Sequence, residues 1–155
     1  MSDREVAYPL GDDVHWLMAR LTRGLAVVES EAVEPLGISL REFVVLAEVD
    51  AEPGRSQLAV ARAAAVDRSL MVTVVDSLEA KGLVERSQHP TDRRVRVLDI
   101  TARGGEVLAA AAVAVRDAEE RLLSTLPSKR RKELRETLVE LSARAAGTGF
   151  DITSC

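Results

Sequence analysis

The chain of 155 residues holds a single cysteine, Cys155, at its last position. One thiol excludes an intrachain disulfide and a multi-cysteine zinc site. The two histidines, His15 and His89, fall on different predicted elements and lack metal-ligand spacing, so no metal site is expected. Gly104-Gly105 has none of the surroundings of a phosphate loop. With signals for enzymatic chemistry missing, the chain is expected not to be an enzyme and to need no cofactor. Aromatic residues make up only 3%, so the core must be built from Leu, Val and Ala, a composition that favours helix packing. No apolar run approaches the length of a membrane span, and the N-terminus carries acids rather than a basic segment ahead of an apolar one. A cytoplasmic protein with no membrane partner is expected.

What the chain does have is charge, unevenly placed. The net charge is −4, yet residues 1–54 carry 4 basic against 11 acidic side chains, residues 55–103 carry 9 against 6, and residues 104–155 carry 8 against 8. Only the middle third is positive. A local basic surface on an acidic protein suits contact with phosphates while limiting non-specific adhesion to nucleic acid.

That third contains the most informative stretch, Asp67 to Thr101. Met71, Val74, Val75 and Leu78 recur at helical spacing, with Asp67 as N-cap and Gly82 as the stop, which predicts a helix over 67–81. Leu83 to Gln88 and Arg94 to Ile100 then alternate around His89-Pro90-Thr91-Asp92-Arg93 and predict a hairpin. Val95, Val97 and Asp99 fall on one of its faces and Arg94, Arg96, Leu98 and Ile100 on the other. A helix followed by a ribbon with arginines at its tip points to a polyanion, above all DNA.

The stretch resembles the winged helix-turn-helix of the MarR family of transcriptional regulators. Asp92-Arg93-Arg94, leading through Val97 to Ile100-Thr101, resembles the family's Asp-x-Arg wing and the strand that follows it. Leu78-Glu79-Ala80-Lys81-Gly82-Leu83-Val84 resembles its helix-to-strand junction. The family commonly has Gly where this chain has Ala65, a residue that tolerates positive φ poorly.

The flanking sequence extends the pattern. Val14, Leu17, Met18, Leu21, Leu25 and Val28 predict a first helix from Asp12 to about Val33, halted by Pro35 and Gly37. Ser39 and Glu42 form a capping box ahead of Phe43, Leu46, Ala47 and Val49, and Ser56 caps a third helix over 57–64. Thr101 caps a long helix to about Thr125, whose run Ala109 to Ala114 is small enough for close helix contact. Pro127-Ser128 leads into a last helix carrying Leu134, Leu138 and Leu141. Residues 1–11 and 148–155 are expected to be a loose arm and a frayed tail.

The fold expected is mostly α with a small β-hairpin wing. Residues 1–38 form an arm and dimerisation helix, 39–101 the winged helix-turn-helix, and 102–155 the C-terminal dimerisation helices and tail. The terminal helices have more apolar surface than so small a centre can cover, and the resemblance implies a homodimer bound to double-stranded DNA.

Candidate DNA contacts are Ser56 and Gln57 at a helix start; Arg68, Ser69, Leu70, Val72 and Thr73 on the recognition helix; and Arg93, Arg94 and Arg96 on the wing. Arg55 and Arg62 could add charge. The resemblance assigns Arg94 to the minor groove, and Asp92 is read as the residue that orients an arginine, with Arg86, Arg94 and Arg96 as candidates. It also implies repression relieved by a small anionic aromatic effector, held in a cleft involving His15, Trp16, Met18 and Arg41. The competing reading is a winged-helix module for protein contact without specific DNA binding. That role would not need wing arginines.

Overall fold

The computed structural model describes residues 10–89, 91–92 and 94–147. The expected arm and tail therefore lie almost wholly outside the described residues, as does Arg93.

Helix α1 (Val14–Val33) is capped by Asp13, whose carboxylate accepts the Trp16 N–H at 2.7 Å. A short 3-10 turn, Glu34–Leu36, contains Pro35 and ends at Gly37 with φ 73°, so the chain leaves α1 where proline and glycine predict. The capping box forms at the start of α2 (Leu40–Ala51): Ser39 Oγ accepts the Glu42 N–H, and Glu42 returns a bond to the Ser39 N–H. Strand β1 (Arg55–Ser56) follows, then α3 (Gln57–Ala63), capped by Ser56, and α4 (Arg68–Ala80), capped by Asp67. The turn between α3 and α4 runs through Ala65 at φ 50°, the single non-glycine residue with positive φ among those described.

Strands β2 (Val84–Gln88) and β3 (Arg96–Ile100) pair antiparallel, with Arg86 opposite Leu98 and Gln88 opposite Arg96. The hairpin is as expected, but it is one part of a three-stranded sheet in the order β1-β3-β2. Strand β1, only two residues long, carries no periodic signal and exists because it pairs with the outer edge of β3, Arg55 opposite Leu98. Val97 and Leu98 are both buried, so the middle of β3 is covered on both faces, which simple alternation does not predict.

Thr101 joins this sheet to α5 (Ala102–Leu122). Its hydroxyl donates to the Gly82 carbonyl at 2.7 Å and accepts the Gly104 N–H at 2.9 Å. Gly104 is buried there, and a Cβ built on it would stand 2.0 Å from the Leu83 carbonyl oxygen. Gly104 of the Gly-Gly pair thus answers a packing need. After a second 3-10 turn, Leu123–Thr125, α6 (Ser128–Gly147) is tied to α5 by Arg131 with Glu120 at 3.0 Å and Arg135 with Glu119 at 3.1 Å.

The core is aliphatic as composition requires: Leu46, Met71, Leu78 and Leu98 are its largest fully buried side chains, and Phe43 is only half-buried against it. Helices α2, α3 and α4 and the sheet enclose it together with Val33 of α1 and Ala111 and Val115 of α5, and α1 and α5 also pack against each other. Among the described residues no helix is long and apolar enough to cross a membrane, and no cluster of side chains suits a metal ion.

Candidate nucleic-acid interface

The apolar stripe of α4 decides what it presents outward. With Met71, Val74, Val75 and Leu78 buried, Arg68, Ser69, Val72 and Thr73 are left on the exposed side. Arg68, Val72 and Asp76 follow one another at four-residue spacing and so form one row along the helix. The helix axis is set by Asp67, which accepts both the N–H and the hydroxyl of Ser69, at 2.8 and 2.6 Å. Those two bonds hold the Asp67 carboxyl below its ordinary pKa. They also engage the Ser69 hydroxyl proton, leaving that oxygen as an acceptor unless the cap opens.

One concave surface of about 510 Å³ gathers Ser56, Gln57 and Leu58 from α3 and its cap, Arg68 and Val72 from α4, and Arg94, Val95 and Arg96 from the wing. Six predicted contact residues, drawn from segments up to forty positions apart, thus line a single cleft. Ser69 and Thr73 are exposed on α4 beside it, whereas Leu70 is half-buried against the core and is not one of the outward set. Its position in the chain suggested the outer face; the helix rotation set by Met71 and Val74 turns it inward. Leu58 and Val95 were not anticipated, since an isolated apolar residue near a helix start or a hairpin tip looks like any other surface position.

The wing tip corrects the reading of Asp92. Its carboxylate accepts the backbone N–H of Arg94 at 3.0 Å, and its carbonyl accepts the Val95 N–H at 3.0 Å. Among the described residues it forms no ion pair with Arg86, Arg94 or Arg96. Asp92 shapes the turn that carries Arg94, and it does so through the backbone. The guanidinium that is held belongs to Arg86, by Asp76 at 2.6 Å and by Glu79, both on α4. Arg55 does not add free charge to the cleft, because Glu48 and Glu52 pair with it at 3.3 and 3.1 Å.

Behind α4, Glu42 is almost fully buried. Lys81 donates to it at 2.6 Å and Ser77 at 2.7 Å, on top of the Ser39 bonds. Burial pushes its pKa up, but the Lys81 and serine bonds outweigh burial and hold it below the ordinary carboxylate value. The same acid thus caps α2 and anchors the C-terminal end of α4.

The residues proposed for an effector are not brought together within one protomer. Arg41 lines a cleft of about 450 Å³ with Ser30, Leu40, Val44 and the turn Ala64 to Val66. His15, Trp16 and Met18 are exposed on the first turns of α1, roughly 20 Å along the helix from Ser30 at 1.5 Å per residue. The Trp16 ring there lies under Arg23, 5.6 Å from its centroid.

Residues 36–95, from the end of α1 to the wing tip, match the sequence model described as MarR family. The HTH-type transcriptional repressor Rv2887 of Mycobacterium tuberculosis is 34% identical over 135 residues, which span 87% of this chain and 94% of that protein. The chain belongs to the MarR family. As such it is a DNA-binding transcriptional regulator, and the likeness extends through the terminal helices. The structure of the repressor CouR bound to a 23-mer DNA duplex is 30% identical, covers 86% of this chain and 94% of that one, and superposes with a TM-score of 0.78. Rv2887 solved with salicylic acid is 34% identical across 84% of this chain and 98% of its own, with a TM-score of 0.73.

Proposed function

We propose that this MarR-family chain is a cytoplasmic repressor that binds a pseudo-palindromic operator as a homodimer and leaves it when a small anionic aromatic compound binds. The observation that carries the proposal is the single cleft shared by α3, α4 and the wing, with Arg68 at one side and Arg94 and Arg96 at the other. Helix α4 enters the major groove by its first turns, where Arg68 is placed for guanine O6 and N7 and Val72 for a thymine methyl. Ser69, as an acceptor, meets a donor on a neighbouring base edge, and Thr73 meets a base or a phosphate. Ser56 and Gln57, at the start of α3, hold a phosphate. Arg94, set by the Asp92 turn, enters the minor groove beside the wing, with Arg93 and Arg96 on the flanking backbone.

Dimerisation falls to the helices of 1–38 and 102–155, which flank the winged unit of 39–101. Two copies related by a two-fold axis present two recognition helices to successive turns of one duplex face, hence the pseudo-palindrome.

For the effector, Arg41 supplies a cation beside the apolar walls Leu40, Val44 and Val66. Such a cleft suits a carboxylate on an aromatic ring, and His15, Trp16 and Met18 complete it only if the partner subunit brings its α1 close. Rv2887 with salicylic acid is a relative whose bound compound has this character, and CouR of Rhodococcus jostii RHA1 is one solved with p-coumaroyl-CoA, an aromatic acyl thioester whose charge lies on its phosphates.

Fluorescence anisotropy on duplexes selected from random sequence by the protein tests the reading. Steeply salt-dependent binding is expected, with Arg94→Ala reducing the slope by about 1 and Arg68→Ala costing about 1 to 3 kcal/mol on selected DNA and far less on random DNA. Absence of salt-dependent binding would leave a module for protein contact.

A further inference from the structure

Asp76 poses a difficulty for the DNA face. It is exposed, and it continues the row of Arg68 and Val72 along α4, where a bare carboxylate would repel phosphate. Arg86 of β2 answers it. The guanidinium bonds Asp76 at 2.6 Å through one terminal nitrogen and Glu79 through the other, while its Nε donates to Gln57 Oε1 at 3.3 Å. The Arg86 backbone N–H adds a bond to Glu79 at 3.2 Å. One side chain on the wing strand therefore holds both α4 and the first residue of α3. Its own charge is matched by two carboxylates, so it has little left to offer a phosphate.

The third bond has a chemical consequence. A glutamine amide has one accepting end and one donating end, and Arg86 can engage only the acceptor. With Oε1 held by Arg86, the –NH2 is the end of Gln57 left available to the cleft that it lines with Arg68 and Arg94. A phosphate oxygen needs a donor. Without Arg86 the amide would be free to rotate, and the ordering would have to be done anew at each encounter.

We infer that Arg86 is a positioning residue for DNA binding: it neutralises Asp76 and orients the Gln57 amide so that its N–H groups meet a backbone phosphate. The inference rests on the DNA-binding reading above. Lysine cannot replace it, because an ammonium is a single point of charge without the planar fork that spans three acceptors.

The test is a double-mutant cycle on the full-length dimer, using a duplex selected from random sequence by the wild-type protein and read by anisotropy across a salt series. Gln57→Ala is expected to weaken wild-type binding about fivefold per half-site, the worth of one hydrogen bond. Arg86→Lys should weaken it by a similar factor without changing the salt slope. Adding Gln57→Ala to Arg86→Lys should then cost nothing more. Losses that multiply would overturn the coupling. Thermal melting accompanies each variant. If Arg86→Lys proves unstable, Gln57→Glu replaces it: the carboxylate keeps an acceptor for Arg86 but presents no donor, so binding should fall well below that of Gln57→Ala. Equal losses from the two substitutions would show that no phosphate meets Gln57 and would overturn the proposal. A wild-type protein that selects no duplex would refute the DNA reading itself, a result distinguishable from the absence of coupling in a protein that binds.

Discussion

In the unit formed by α2, α3, α4 and the sheet, Leu46, Met71 and Leu78 are at most 1% exposed, whereas along α1 Val14 is 69%, Leu17 47% and Met18 49% exposed. At the other end α6 leaves Val139 at 70% and Leu141 at 51%. The central unit and the inner faces of α1 and α5, through Val33, Ala111 and Val115, close one core. The outer faces of the end helices differ: they are tied by the α1–α5 contact and by ion pairs such as Arg135 with Glu119 and Glu120, and their outer apolar residues are uncovered among the described residues. Exposed apolar residues gathered along α1 and α6 mark an interaction surface, so the difference separates a closed core from outer helix faces left for a second copy.

The sharpest way to break that comparison is to truncate one buried and one exposed leucine. Leu46→Ala should cost about 2 to 5 kcal/mol of stability in chemical denaturation. Leu17→Ala should leave denaturation at low protein concentration nearly unchanged and lower stability only where dimer forms, as sedimentation equilibrium would reveal. Equal, concentration-independent losses would mean that α1 is complete as a monomer.

Glu42 tests how the central unit is tied. Its folded pKa is depressed, so its contribution to stability is fully present above the unfolded carboxylate value near 4.5 and is lost as pH falls through the folded value. Glu42→Gln should cost about 1 to 3 kcal/mol at neutral pH, because it leaves Lys81 and the α2 cap short of a charged acceptor. The gap from wild type should narrow in acid below pH 4.5, and a constant gap would show that the charge of Glu42 is irrelevant.

The boundary between the two regions is probed by Gly104→Ala. A Cβ 2.0 Å from the Leu83 carbonyl must push α5 off the wing strand, at a cost of about 1 to 3 kcal/mol in thermal unfolding. Gly105→Ala, where a Cβ meets nothing within 4 Å, should be neutral or slightly stabilising. The smallest effect is expected in the turn before α4. Ala65→Gly should stabilise by about 0.5 to 1 kcal/mol, since φ of 50° strains alanine but not glycine. A loss of stability there would show that the entropy of the unfolded glycine outweighs the relief.

The sequence by itself determined the elements and their order, because each rests on neighbours a few positions apart. Asp67 capping Ser69, Ser39 and Glu42 exchanging bonds, Thr101 starting α5 and Gly82 ending α4 are local chemistry, readable from spacing alone. The positive φ at Ala65 was not readable from spacing: the family resemblance has glycine there, alanine was a departure from it, and the structure shows the left-handed turn kept at φ 50°. The candidate cleft was legible as a set of residues, though not as a surface: Arg68, Gln57 and Arg94 have no periodic relation, and only packing around Leu46, Leu78 and Leu98 sets them side by side. Tertiary structure also decided which arginine is held. Asp92 was paired with a guanidinium on grounds of charge, but a carboxylate at a tight turn reaches the backbone N–H two residues on before it reaches a long side chain. Arg86 lies seven residues from Glu79 and twenty-nine from Gln57, and its three partners face it because β2 folds back along α4 beside the start of α3. Strand β1 belongs to the same class: two residues cannot declare themselves a strand until β3 offers an unpaired edge.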